Sequence, residues 1–539
     1  MEDIGEQRLV PGLRDSYGGV QAVPGGLEPE VLIALAAALD AGAGLPARPV
    51  FSSEASWTRL PGGWPGDVFF VDASAATARA PGGEASLVKL AVLHRHGAGE
   101  GLYAPSVPGA PPVLYVPEAG ERVRQALVYV VELAQLLSLA HLESVGGREV
   151  GGERILVRHG PLVQQLSHYM APVYAVEEDV AEAALLYAGL GQPLVSRLLR
   201  GSRLCGSPGR VSLGLLALRL LEEMARVAEE HRGRVVFAGV VEDTSRSRLL
   251  AASLLAEALQ ALVAGAAPVT VQQLGHLLVS TLSRWVAAAD YGCLAAVGWW
   301  PSLSRLSPEA VTRELLAPLN SELQIRFSGG LGAGAVPRLS VLEAAASSSG
   351  SMPDITDSEL LYSLVYLEAP SCRRGPCAYT RPRSRAAAAE WAARSLQQRS
   401  DMLGCHPGLG VEPARRVLYS YLLPEAPPGC RSLASAASRL GISVADAASL
   451  VQVPPAVRVE WMTPVEPRLL SGLLSSLYWA SRLVAYGYPP QLLVVDKASR
   501  VTWWEVASLE QLAEELGRRR QPYRGFLRGW QRRSAAITA

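Results

Sequence analysis

The chain has 539 residues, enough for roughly two to four domains' worth of core, and is 49% hydrophobic against 19% charged, which makes it globular and unusually apolar. Its 50 basic and 50 acidic side chains cancel, so a nucleic-acid surface has to be a local patch rather than the character of the whole protein. The start, Met1-Glu2-Asp3-Ile4, lacks the basic and apolar segments of a secretion signal. The two most apolar stretches, 123–142 and 249–267, carry Glu132 and Glu257 inside them. The expectation is a cytoplasmic protein with no membrane span.

Residues 1–28 are rich in Gly and Pro and read as an irregular arm, and 29–41 as a first helix. Val68-Phe69-Phe70-Val71 then runs into Asp72-Ala73-Ser74. Four apolar residues in a row suit a strand buried on both faces of a sheet, ending at Asp72. A carboxylate where a chain leaves a sheet is the usual seat of α/β chemistry, although an acid that merely starts a turn reads the same way. A polar turn follows through Gly83, and 85–94 is a second strand, antiparallel because the connection is short. A Pro/Gly loop fills 97–112 and precedes a third strand at 113–116.

Residues 121–141 form a helix that is apolar nearly all round, with Glu132 in its middle. A carboxylate there costs several kcal/mol unless a cation or donor meets it, or unless it lies on a narrow polar stripe with Gln125 and Gln135. A Gly-rich loop at 144–153 leads to the strand 155–157, which ends at Arg158-His159-Gly160-Pro161 and is followed by a helix from Leu162. His159 therefore sits at a strand end as Asp72 does, in a functional or a structural role. The segment 211–231 is an amphipathic helix, and the buried strand 234–241 opens into Glu242-Asp243-Thr244-Ser245-Arg246-Ser247-Arg248.

From 250 to 345 the pattern is helical with breaks, and 327–352 is a Gly/Ala/Ser-rich linker or loop. A helix is expected at 357–367, a basic loop at 370–385, strands at 417–423 and 457–461, and helices at 434–451 and 469–485. Tyr488-Pro489-Pro490 turns the chain into a strand, 492–495, ending at Asp496-Lys497. The C-terminal tail holds Arg518, Arg519, Arg520, Arg524 and Arg528 interleaved with Tyr523, Phe526 and Trp530. Basic and aromatic residues together suit phosphate contact with base stacking; a solvated helix end or a partner-binding tail fits the same residues. Among six cysteines, Cys372, Cys377, Cys405 and Cys430 leave a disulfide or a zinc site open, with no standard finger spacing.

The order of these pieces resembles the NurA nuclease family of archaea and bacteria over roughly 60–170, 230–250 and 355–505. VDAS at 71–74 is similar to the family's V-D-G-S, and ILVRHGPL at 155–162 to its strand followed by D-G-x-L. AGVVEDTSRS at 238–247 looks like the strand leading into a polar region, where the family commonly has Lys in place of Glu242. VRVEW at 457–461 and GYPPQLLVVDKASRV at 487–501 resemble its closing segments, the latter normally ending Y-P-x-x-L-x-x-A-H-x-x-A. Asp72, Glu132 and Tyr488 match the pattern. His159 stands where the family has its second aspartate, and Asp496 where it has its closing histidine.

The resemblance implies an α/β protein with an RNase H-like mixed β-sheet core flanked by helices, and a largely helical insertion. The expected organisation is an arm and helix at 1–55, core at 56–250, insertion at 251–352, core again at 353–510 and the arginine tail at 511–539. It further implies a homodimer that binds Mn²⁺ or Mg²⁺ and degrades DNA beside the hexameric HerA translocase during end resection. Asp72, Glu132, His159 and Asp496 are the expected metal ligands and Tyr488 a further catalytic residue, with Arg246, Arg248 and the tail arginines on DNA. The exchange of Asp for His at 159 and His for Asp at 496 keeps three acids and one imidazole, a set that suits Mn²⁺ better than Mg²⁺. The alternative is a catalytically degenerate member that serves as a DNA- or partner-binding structural subunit.

Overall fold

The computed structural model describes residues 50–53, 64–242, 377–381, 406, 412–423, 430–450, 456–481 and 488–518, apart from 81–82, 98, 104–112, 118–119 and 146–147. The expected arm, the helix at 29–41, the insertion, the helix at 357–367 and most of the arginine tail lie outside these residues. The strands are β1 (Val50–Ser53), β2 (Asp67–Ala80), β3 (Gly83–His96), β4 (Gly99–Tyr103), β5 (Leu114–Pro117), β6 (Ser144–Val145) and β7 (Arg148–Glu149). They continue with β8 (Arg154–His159), β9 (Ala175–Glu177), β10 (Arg210–Ser212), β11 (Val235–Val241), β12 (Cys377–Arg381), β13 (Val417–Leu423) and β14 (Val457–Met462). The helices are α1 (Glu121–Ala140), α2 (Glu178–Tyr187), α3 (Gln192–Arg200), α4 (Leu213–Glu230), α5 (Glu412–Arg415), α6 (Cys430–Leu440), α7 (Val444–Ser449), α8 (Pro467–Ser481), α9 (Pro490–Ser499) and α10 (Trp503–Arg518).

Ten strands form one mixed sheet in the order β1-β12-β13-β14-β11-β8-β2-β3-β4, with β5 also paired to β3. At its centre β8 runs parallel to both β2 and β11, and the remaining ladders are antiparallel. Parallel strands at the middle of a sheet are buried on both faces, which is why Val235–Val241 is apolar and buried throughout.

Successive strand residues point to opposite faces, and two cores result. Phe69, Val71, Leu156 and Phe237 join α1, α2 and α4 in the first core. Val68, Phe70, Ile155, Val157, Val236 and Val240 join α8 and α9 in the second. Helix α1 is long and apolar enough to cross a membrane by composition, but it is the buried helix of the first core. The α1 carbonyls of Leu139 and Ala140 accept from the Arg154 guanidinium at 3.2 and 2.7 Å, a cation placed on the negative end of the helix.

Several boundaries differ from expectation. Strand β2 does not stop at Asp72: all fourteen residues pair with β3, from Asp67 opposite His96 to Ala80 opposite Gly83. The Ala-rich half has weak strand propensity, and its hairpin partner overrides it. The expected strand at 492–495 is helix α9, started by Pro489 and Pro490 and holding Leu492 and Val495, one turn apart, against the sheet. The expected helix from Leu162 is a 3₁₀ turn at Gln164–Tyr169. The expected basic loop contains β12, the loop after residue 97 contains β4, and 434–451 divides into α6 and α7. Cys205, outside the 372–430 group, is disulfide-bonded.

Candidate metal centre

Parallel pairing of β2 with β8 ends at Val71 opposite Arg158, and β8 with β11 at His159 opposite Val240. Asp72, the residue after Val71, and Glu242, two residues past Val240, share with His159 the face that carries Phe70, Val157 and Val240. Helix α9 packs over β2 and β3 on that face and brings Asp496. The result is a group of three side chains, Asp72, His159 and Asp496, each offering a ligand atom within 4.8 Å of the others.

The contacts are specific. His159 Nδ1 lies 3.0 Å from Asp72 Oδ1, and Nε2 pairs with Glu242 Oε1 on the other side of the ring. Ser499, fully buried in the last turn of α9, donates to Asp72 Oδ2. Its carbonyl accepts from Ser74 Oγ at 2.6 Å, and Ser74 Oγ accepts from Val501 N at 3.2 Å, so the end of α9 is fastened to β2 beside the acid. Asp496 Oδ2 accepts from Arg500 at 2.5 Å. Burial disfavours a charged imidazole, yet the hydrogen bonds to Asp72 and Glu242 outweigh it and hold the His159 pKa well above the ordinary histidine value.

Glu132 is not in this group. It rises from α1 on the opposite face, where Oε1 accepts from Ala73 N at 2.9 Å and Oε2 accepts from Arg158 Nε at 2.7 Å. Arg158 also donates to the Pro161 carbonyl and to Gln165 Oε1, and stacks over Tyr129 with its guanidinium carbon 4.8 Å from the ring centroid. Burial raises the Glu132 carboxyl to about 7, with Arg158 pulling down and the Asp72 charge pushing up. The loop after β8 passes close enough to permit this arrangement because β11 has Gly239. A β-carbon there would stand 2.4 Å from the Gly160 carbonyl oxygen.

Of the expected site residues, the structure therefore brings together Asp72, His159 and Asp496, sets Glu132 behind them as a backbone anchor, and leaves Tyr488 half-buried in the turn before α9. Arg246, Arg248, Arg519, Arg520, Arg524 and Arg528 lie outside the described residues, and Arg518 ends α10. Ser499 was missed, since a serine four residues past an apparent strand carries no signal; only its place on α9 gives it a role. Helix α10 was missed as well, and the expected boundary at 510 falls inside it; its signal is a capping box, Thr502 N donating to Glu505 Oε2 at 2.6 Å and Glu505 N to Thr502 Oγ1 at 3.3 Å.

No protein-family model and no curated protein matches this chain. Among solved structures it is similar to the NurA nuclease from Sulfolobus solfataricus at 9% identity and a TM-score of 0.32, over 84% of this chain and 85% of that one. A NurA with manganese matches at 12% identity and a TM-score of 0.25, covering 86% and 92% of the two chains. A NurA bound to dAMP and manganese matches at 13% and 0.23, covering 83% and 87%. At such scores the likeness adds no weight, and the functional reading stands on the side chains.

The donor set fits a divalent cation. Three carboxylates, Asp72, Asp496 and Glu242, face one imidazole and the Arg500 guanidinium, so acid is in excess. Ligands sharing an ion at about 2.1 Å stand at most about 4.2 Å apart, so a side-chain contraction of less than about 1 Å closes the group on one. Mixed oxygen and imidazole donors suit Mn²⁺.

Proposed function

We propose that the protein is a NurA-like, divalent-metal-dependent nuclease that hydrolyses DNA phosphodiester bonds, with Mn²⁺ preferred to Mg²⁺. The observation that supports it most is the convergence of Asp72, His159 and Asp496 where the parallel pairing of the central strands ends, with acid in excess. Ligand sites of α/β sheets lie at the carboxyl ends of such strands. A divalent ion bound there supplies an activated water and positive charge for the phosphate and leaving oxygen.

The chain's own residues do the rest. Ser499 occupies Asp72 Oδ2 and so turns Oδ1 toward His159. The 3.0 Å contact between Asp72 and His159 Nδ1 is the one an ion would replace, with release of the imidazole proton. Arg500 holds Asp496 one turn up α9. Glu132 fixes the Ala73 amide, so Asp72 cannot swing with its backbone.

On this reading the core is RNase H-like, and Arg246, Arg248, Arg518, Arg519, Arg520, Arg524 and Arg528 contact DNA. The protein acts as a homodimer with a HerA-type translocase in end resection; the motif order of the sequence supports these further parts. A second reading, a degenerate structural subunit, draws on Glu132, whose two oxygens are both engaged by the chain itself. A Mn²⁺ titration on labelled single- and double-stranded DNA, with Asp72→Ala as control, separates the two. Metal-dependent cleavage lost in the variant supports the nuclease. No cleavage of either substrate, with Mn²⁺ bound or not, leaves the structural subunit; loss of DNA affinity on deleting 518–539 then makes it a DNA-binding one.

A further inference from the structure

The imidazole of His159 is held from both sides. Nδ1 faces Asp72 at 3.0 Å, and Nε2 pairs with Glu242, the first residue past β11. The two ring nitrogens point away from each other, so a carboxylate on Nε2 cannot share an ion with Nδ1. Glu242 accordingly falls outside the close group of Asp72, His159 and Asp496. Its side chain is largely buried, as is the ring.

We infer that Glu242 is a positioning residue for the metal centre: it accepts the Nε2 proton of His159 and thereby presents Nδ1, with its lone pair, to a divalent cation shared with Asp72 and Asp496. The inference rests on the metal-centre reading above. Its physics is general. An imidazole is a metal ligand only when neutral, and a hydrogen bond to one ring nitrogen decides which nitrogen keeps the lone pair. A carboxylate in that place also raises the basicity of the ligating nitrogen and fixes the plane of the ring.

The strand geometry makes the arrangement. His159 is opposite Val240 in the β8–β11 ladder, and alternation places Glu242, two residues on, on the same face just past the ladder's end. From there its carboxylate reaches the outer nitrogen while Asp72, on the other neighbour of β8, meets the inner one. The ring spans the two strands that flank its own. A histidine unsupported on either side could rotate away from the ion; here rotation breaks a contact in each direction.

Mn²⁺ affinity, read by electron paramagnetic resonance on protein without DNA, tests this directly. Glu242→Ala is expected to bind Mn²⁺ about 10- to 100-fold more weakly than the wild type. Glu242→Gln, whose amide oxygen still accepts from Nε2, is expected to fall between them. The melting temperature of the metal-free variants should stay near that of the wild type, and Glu242→Gln carries the test alone if the alanine variant does not fold. In the Mg²⁺-loaded protein, ¹⁵N resonances should show the His159 proton on Nε2. Unchanged Mn²⁺ affinity in both variants overturns the role of Glu242. So does equal loss in both beyond about 100-fold, which makes Glu242 a direct ligand. Wild-type protein that binds neither Mn²⁺ nor Mg²⁺ overturns the metal centre itself, and this role with it.

Discussion

At the end of β8, Arg158 and His159 leave the strand on opposite faces, and each meets a carboxylate. Arg158 meets Glu132, and the guanidinium is then completed by the Pro161 carbonyl and Gln165. Both partners are almost fully buried, one acid against one base, with no capacity left over. His159 meets Asp72 and Glu242, with Asp496 close by, so carboxylates outnumber fixed cations on that side. The first arrangement is closed and holds the sheet to α1. The second is open in charge and partly accessible, the state in which a cation is attracted. Carboxylates thus become structure or site according to whether the chain itself supplies the balancing charge.

The largest expected effect breaks the closed side. Glu132→Ala leaves the Arg158 charge buried without its partner, and stability should fall by about 3–5 kcal/mol in denaturant titration. Replacing both residues by apolar ones of similar volume should recover most of that loss. If Glu132→Ala is instead as stable as the wild type but fails to bind Mn²⁺, Glu132 belongs to the open side after all.

Asp72→Ala should do the reverse, with Mn²⁺ binding and any nuclease activity falling by more than about 100-fold while the melting temperature changes little. Ser499→Ala sharpens the contrast further. It removes the donor on Asp72 Oδ2 and should cost about 1 kcal/mol of stability together with a several-fold loss of Mn²⁺ affinity. A loss of stability with no change in affinity would make Ser499 a clamp for α9 alone.

The smallest effect concerns the far end of β2, where Asp67 accepts from His94, His96 and the Gly151 amide, each at 2.8 Å. Burial raises its pKa, but these hydrogen bonds outweigh it and hold it below the ordinary value. A carboxyl lowered by folding stabilises the protein above its unfolded pKa, and the contribution is lost as pH falls through the folded value. The wild type should therefore lose stability below about pH 4 more steeply than Asp67→Asn. Parallel acid-denaturation curves for the two proteins would contradict it.

Much of the frame was legible in the residues because it rests on local pattern. Apolar runs marked the strands at 154–159, 235–241 and 417–423, apolar residues alternating with Arg458 and Glu460 the one at 457–462, and helical periodicity marked 121–140, 213–230 and 467–481. Asp72, His159 and Glu242 were visible as polar residues ending such runs, and alternation alone sets them on one side once the strands are neighbours. Asp496 was found for the wrong structural reason: Leu-Leu-Val-Val reads as a strand, and Pro489-Pro490 as a helix start was the signal to follow.

Glu132 shows the limit most plainly. Its burial in a helix followed from composition, but whether it faces an ion or an arginine did not, since that depends on which face of the sheet α1 covers. Residue pattern was enough for an α/β protein with acids and a histidine at the ends of apolar runs. Their partners follow from how the segments pack. Strand order and register are long-range, set by packing between segments as distant as Asp72 and Ser499, 427 positions apart. Charge balance, which separates the anchor from the site, exists only once those segments meet.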